Sequence, residues 1–274
     1  MQPLEQKEAM RRVCPKGAVS VNRLTIRRRR AKLDEMNGAL RRRFNLFPDL
    51  YLPNDECGDY LHPGFLMRID ANSVHAVFEV GCSDGTDTLR LAQAFPAVIH
   101  AFECNPEVLP QTRLNVSNHD RIRLVERAVW DSECRLPFFP VIASTHLGRA
   151  GHNPGASSCF RARSDYLQHY EQKDTIVNAI RLDSYCRQHG IDAIDLLCID
   201  AQGAELQVLK GLGDLIRSVR YLITEIEVRP IYQGQALYPE IHAYLTSNGF
   251  RQAAEVYRDD WFSDYLYIRR ALSG

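Results

Sequence analysis

The chain has 274 residues, 45% of them hydrophobic and 25% charged, and its formal net charge is zero. That length holds one large domain with an extension, and the composition is that of a packed globular protein, not a disordered or collagen-like one. No run approaches the roughly 20 apolar residues that span a bilayer, and the N-terminus lacks the apolar core of a secretion signal, so a cytoplasmic protein is expected.

The charge is unevenly spread. Residues 1–44 carry 13 Arg or Lys against 4 acids, with arginine clusters at 27–30 and 41–43, and so hold a surplus of about +9. This arm reads as two polar helices broken at Pro15-Lys16-Gly17. Such an arm either docks on its own acidic remainder or binds nucleic acid or an acidic membrane surface. Pro48, Pro53, Gly58, Pro63 and Gly64 then mark residues 45–64 as a linker. Residues 1–64 are therefore expected to be a basic helical extension, and residues 65–274 the main domain.

Strands and helices alternate from there. Residues 76–80 are a short apolar run that ends at a glycine-rich turn, the profile of a buried parallel strand. A helix over 86–95 follows, then a strand over 98–103. Asn105 is suited to cap a helix opened by Pro106 and running to about residue 118. A third strand is expected over 122–127. Regularity lapses over 131–173, where prolines and glycines recur; a loop this long tends to be functional or to hold small strands of its own. Beyond it the pattern predicts a helix over 182–189, a strand over 195–200 and a helix over 205–212. A strand over 219–225, a helix over 239–248 and strands over 252–256 and 265–269, the last two near enough to pair as a hairpin, complete the chain. Repeated strand–helix units argue for an α/β parallel sheet covered on both faces.

Eight cysteines stand singly at positions 14, 57, 82, 104, 134, 159, 186 and 198. With no Cys-x-x-Cys pair, a zinc site of the usual spacing is not expected, and most of these thiols read as small buried hydrophobes.

The strongest chemical signal is Glu79-Val80-Gly81-Cys82-Ser83-Asp84-Gly85-Thr86, between a predicted strand and a predicted helix. Glycines there let the backbone turn sharply and approach a ligand closely. Glu103 ends the next strand, where a carboxylate can accept both hydroxyls of a ribose. Ser83 replaces the middle glycine of the dinucleotide fingerprint, and no Gly-Lys-Ser/Thr of a phosphate loop follows. The turn therefore suits S-adenosylmethionine, which has no pyrophosphate, better than a nicotinamide dinucleotide. Glu79 would face the cationic methionine end of that cofactor or cap a backbone turn.

Four blocks of the chain resemble the FkbM-type methyltransferases over residues 77–270. The first is Phe78-Glu79-Val80-Gly81-Cys82-Ser83-Asp84-Gly85 with Phe102-Glu103-Cys104-Asn105-Pro106, and the second is Gly155-Ala156-Ser157-Ser158. The third is Leu182-Asp183-Ser184-Tyr185 with the Ile199-Asp200-Ala201-Gln202-Gly203-Ala204-Glu205 core, and the fourth spans residues 225–235. Three positions depart from the family's habit: it usually has Asp at the Glu79 position, Asn near Ser83, and often an acid at Gln202. The resemblance implies a Rossmann-like class I methyltransferase fold, with a seven-stranded, mostly parallel sheet carrying one antiparallel strand near its edge. It also implies oxygen methylation of small molecules, sugars or natural-product intermediates, with Arg127, Ala128 and Val129 flanking the adenine and Asp131 beyond them.

Methyl transfer from a sulfonium needs an aligned acceptor and a destination for its proton. Asp200, ending the fourth strand on the cofactor edge, is the candidate base, substrate ligand or metal ligand, or else caps the nearby helix. Glu225, ending the fifth strand, is the second carboxylate on that edge. The donor-binding set is then Glu79, Gly81, Ser83, Gly85, Glu103, Cys104, Asn105, Ala128, Ser158 and Asp200, and the acceptor-binding set is Gln202, Glu205, Tyr232 and Gln233. Glu205 and Ser158 have structural readings too, the first at a helix dipole and the second as a loop cap. His146 and His152 are further candidates for the base, and Trp130 and Trp261 read as packing residues. No metal is assigned. The expected partner is a hydroxyl-bearing small molecule or glycan, and a homodimer is allowed for. The rival readings are ribose 2′-oxygen methylation of nucleic acid through the arginine-rich arm, and a non-catalytic cofactor-binding scaffold.

Overall fold

The computed structural model describes residues 59–258 and 260–270, so the basic arm, Cys14 and Cys57 lie outside the described residues. The folded body reaches back past the boundary expected at residue 65. Tyr60, Leu61, Phe65 and Leu66 are all buried, and Pro63–Leu66 forms one helical turn, α1, with His62 accepting a capping hydrogen bond from the Gly64 N–H. Proline and glycine density suggested a linker here, but the apolar residues between them pack on the core.

β1 (Ala76–Val80) is buried at four of its five positions and is paired in parallel on both sides, which its continuous apolar run requires. It leads through the glycine turn into α2 (Thr86–Ala94), whose Leu91, Ala92 and Ala94 face the core. β2 (Val98–Phe102) follows, and then α3 (Leu109–Val116). That helix starts later than expected. The Asn105 side chain accepts from the Glu107 N–H at 3.0 Å and so caps a separate turn ahead of it. β3 (Ile122–Val125) is the outer strand of the main sheet.

The long irregular stretch folds into two small sheets. β4 (Ala128–Val129), β5 (Arg135–Phe138), β6 (Val141–His146), β7 (Arg149–Gly151), β8 (Gln168–Gln172) and β9 (Thr175–Ile180) arrange themselves as β4-β9-β5 and β7-β6-β8. β9 was not expected. It pairs in parallel with β4, at Ala128↔Ala179, and antiparallel with β5.

The alternation then resumes with α4 (Leu182–His189), β10 (Leu196–Ile199), α5 (Glu205–Lys210), β11 (Tyr221–Glu227), α6 (Tyr238–Ser247), β12 (Phe250–Arg258) and β13 (Phe262–Arg269). The main sheet has seven strands in the order β12-β13-β11-β10-β1-β2-β3. Its single antiparallel strand is β13, next to the edge, as the resemblance implied. Side-chain alternation along the strands divides the core in two. Val77, Cys198 and Ile223 pack beneath α1–α3, while Phe78, Leu197 and Leu222 pack beneath α4–α6. Strand order reverses between β1 and β10. At that point two carboxyl ends diverge and leave a crevice, the place where an open α/β sheet binds ligands. Among the described residues, no helix is long and apolar enough to cross a membrane.

Candidate functional site

The crevice between β1, β2 and β10 opens into a cavity of about 660 Å³, counted together with the solvent space at its mouth. Its floor is the turn after β1. Gly81 and Gly85 have φ values of +87° and +84°, and Ser83 takes a left-handed +48°, a conformation few side chains adopt. The Gly81 and Cys82 N–H groups both donate to the Phe102 carbonyl, which ties the turn to the end of β2.

Glu103, one residue beyond β2, is held by backbone alone. One carboxylate oxygen accepts from the Ser83 N–H at 2.8 Å, and the other from the Cys104 and Asn105 N–H groups at 2.8 and 2.7 Å. Burial pushes its pKa up to about 6 against the pull of those three bonds. Three of its roughly four acceptor positions are taken, so the carboxylate is fixed in direction with about one left to a ligand.

Asp200, just past β10, is half-buried, and its desolvation raises its pKa to about 6; the Gln202 side chain opposes that rise with a hydrogen bond from its amide at 2.6 Å. Gln202 has φ +52° and spans the mouth. Its amide nitrogen reaches Glu225 at 3.4 Å, and its carbonyl oxygen takes the Tyr232 hydroxyl at 2.7 Å. One neutral amide therefore bridges two carboxylates, where an acid at the same position would repel both. Glu205 accepts from the Ala201 and Gly203 N–H groups and so braces the turn that carries Gln202.

Of the residues singled out from sequence, Gly81, Ser83, Glu103, Cys104, Asn105, Arg127, Ala128, Val129, Asp200 and Gln202 line this cavity together. The others stand around it. Glu79 is buried below, accepting from the Thr88 hydroxyl at 2.5 Å. Gly85 caps α2, and Ser158 donates to the Gln202 carbonyl at 2.7 Å. Glu225 and Tyr232 touch the site through Gln202, while Gln233 is an exposed tether to the Ala162 carbonyl. His146 and His152 are exposed and line no part of the cavity. Val108, Phe138 and Cys159 line it without having been foreseen. Phe138 and Cys159 arrive only through the folding of the long loop, which carries no local signature. The Cys159 thiol, hydrogen-bonded to Cys104, helps burial raise the Cys104 pKa. Among the described residues no metal-binding group of side chains comes together.

Burial pushes the Glu79 pKa up to about 8, with the Thr88 bond opposing and Asp87, Glu103 and Asp200 adding to the rise. The folded chain then keeps a proton that the unfolded chain releases near 4.5. The stability gained is full below that pH and is lost as pH rises toward 8, an effect on the order of a few kcal/mol. Glu79→Gln should accordingly melt higher than the wild type at pH 9, with the advantage shrinking by pH 5. Thermal melts without ligand at both values test this, and a gap that does not change with pH would contradict it.

A family model described as the methyltransferase FkbM domain matches residues 79–252. The 2-O-methyltransferase NoeI of Sinorhizobium fredii is 32% identical over 164 residues, covering 58% of this chain and 66% of that protein, slightly under two thirds of its length. The 31-O-demethyl-FK506 methyltransferase FkbM of Streptomyces tacrolimicus is 26% identical over 218 residues, covering 73% and 80% of the two chains. Among solved structures, fibrillarin of Aeropyrum pernix with bound S-adenosyl-L-methionine gives a TM-score of 0.44 at 12% identity, covering 73% of this chain and 69% of that one.

Proposed function

Since the chain belongs to the FkbM methyltransferase family, we propose that it transfers the methyl group of S-adenosylmethionine to a hydroxyl oxygen of a small molecule or glycan. The observation that carries this reading is Glu103, gripped by three backbone N–H groups at the rim of a cavity that also holds Gly81 and Asp200. A preset carboxylate beside bare backbone suits the ribose diol of an adenosyl group. Val108, Ala128, Val129 and Phe138 line the cavity and would wall the base, and Cys104 and Asn105, next to Glu103, would border the sugar.

When bound, the donor supplies an electrophilic methyl on a sulfonium whose thioether leaves without acid assistance. The protein's share is positioning and proton removal. Asp200 sits where it can take the acceptor's proton at a carboxylate oxygen, and its raised pKa makes it a stronger base than a solvated aspartate. The Gln202 amide fixes that carboxylate and Glu225 at one mouth, and Tyr232 fixes Gln202. Glu225 would accept a second hydroxyl of the acceptor.

Titration calorimetry with S-adenosylmethionine and its demethylated product tests the donor half. Glu103→Ala removes an ionised acceptor worth roughly 1.5–3 kcal/mol per hydrogen bond, so the donor Kd should rise at least tenfold. A mass gain of one methyl on hydroxylated acceptors tests the other half. Absence of donor binding by the wild-type chain would end this reading.

A further inference from the structure

Two of the six described cysteines meet at the donor cavity. Cys104 follows Glu103 past the end of β2, and Cys159 lies in the segment between β7 and β8. Both are half-buried, both line the cavity, and both pack on the small cluster of Ala128, Leu136 and Ala179. Their thiols are hydrogen-bonded to each other. The chain on either side is stitched together as well. The Asn105 side-chain amide donates to Ser157 Oγ at 3.1 Å, and the same oxygen accepts from the Val141 N–H at 2.9 Å. Cys82, Cys186 and Cys198 are buried and Cys134 is exposed, and no described thiol besides Cys104 and Cys159 borders the cavity.

This contact reaches the donor grip directly. The Cys104 N–H is one of the three that hold Glu103, at 2.8 Å, and the Asn105 N–H is another, at 2.7 Å. On the far side Ser158, the neighbour of Cys159, donates to the Gln202 carbonyl at 2.7 Å, and the Gln202 amide holds Asp200. A covalent bond draws two sulfurs well inside hydrogen-bonding distance. The backbone that must give way carries Glu103 on one side and the support of Gln202 on the other. The hydrogen bond to Cys159, with burial, pushes the Cys104 thiol pKa up, which leaves Cys159 as the sulfur that attacks first.

We propose that Cys104 and Cys159 are a modification site, closing to a reversible disulfide with small oxidising disulfides, and that the closed form binds the donor more weakly. In the first step the Cys159 thiolate attacks one sulfur of the oxidant. A new S–S bond forms to Cys159, the oxidant's own S–S bond breaks, and its second sulfur leaves as a thiolate that takes up the proton Cys159 lost. In the second step Cys104 gives up its proton and attacks the Cys159 sulfur, and the other half of the oxidant leaves with that proton as a thiol. Two cysteine thiols and one disulfide thus become one intrachain disulfide and two thiols, with two electrons passed to the oxidant. The bond needs no methyl transfer, but its effect on the donor rests on the methyl-transfer reading given above. Linkage makes that effect reciprocal: a disulfide that weakens the donor is made easier to reduce, by the same factor, when the donor is bound.

The test equilibrates the full chain with mixtures of reduced and oxidised glutathione, with and without the demethylated donor. Peptide mapping after an acid quench should find Cys104 joined to Cys159, lighter than the reduced pair by two hydrogens, and dithiothreitol should reverse the change. Calorimetry should give the oxidised chain a Kd for the demethylated donor about tenfold or more above that of the reduced chain. At a fixed level of reduced glutathione, saturating ligand should raise the oxidised glutathione needed for half-conversion by the same factor. In Cys159→Ser the Kd, whatever its value, should be the same before and after treatment, while Cys134→Ala should respond as the wild type does. Three results would overturn the proposal: glutathione on single cysteines with no joined pair, equal Kd in the two forms, or a response that survives in Cys159→Ser. Absence of ligand binding in both forms would instead sink the methyl-transfer reading, with the mapping still deciding the bond.

Discussion

Asp200→Asn is expected to lower kcat by about 10²–10⁴-fold, the usual share of a general base, while the donor Kd stays within a few-fold. Asparagine keeps the shape of the aspartate, and its carbonyl oxygen can still accept the 2.6 Å bond from Gln202, so the mouth should keep its form. What it loses is the ability to accept a proton. Because the Asp200 pKa lies near 6, wild-type kcat/KM should be flat above neutrality and fall about tenfold per pH unit below that value, as the required carboxylate becomes protonated. The variant's residual rate should lack that limb. Steady-state rates from pH 5 to pH 9 and calorimetry with the donor decide it; a variant retaining a third of wild-type kcat and the same acid limb would place the base elsewhere. Glu103 has a similar pKa, so donor affinity must be measured across the same range to separate binding from chemistry.

Gly81→Ala should be the most damaging single methyl in the described chain. A Cβ there would overlap the Asp200 carbonyl oxygen, which is rigid backbone, and the position already has a φ that L-residues avoid. Neither strand can yield easily. β1 and β10 are in register up to Val80↔Ile199, and the Asp200 N–H donates to the Val80 carbonyl at 3.0 Å. A loss of about 3 kcal/mol or more is expected, near 10 °C in Tm for a domain of this size, together with loss of donor binding. A variant with wild-type Tm and unchanged donor Kd would show that the two strands separate more freely than this packing implies.

Some of this site was legible before any coordinates, for a physical reason. Gly81 and Glu103 lie past the ends of short strands that are apolar except for Glu79 and His100, and a buried parallel strand announces itself by composition. Asp200 was legible for the same reason. The resemblance supplied the seven strands and the antiparallel one near the edge, which no local pattern holds. β9 escaped notice because its partners, β4 and β5, lie 35 residues and more away along the chain, and its alternating exposure is interrupted by no turn signal of its own. Asn105 misled over α3 because a side chain able to cap a helix caps an isolated turn equally well. Residues 59–64 read as linker from sequence because prolines and glycines spoke louder than Tyr60 and Leu61, whose burial depends on the far side of the core. Phe138 and Cys159 owe their places to pairings across the small sheets, and those pairings are invisible residue by residue.

The chain leaves the donor cleft at β4 and returns beside it at β9, with Ala128 opposite Ala179. The segment between is also tied to the site, by Ser158 on the Gln202 backbone and by Phe138 and Cys159 in the cavity, so free insertion is confined to its exposed hairpin, residues 145–152. Natural variation should consequently concentrate in that hairpin, and exchanging it alone between relatives would leave Phe138, Ser158 and Cys159 in place beside the donor cavity.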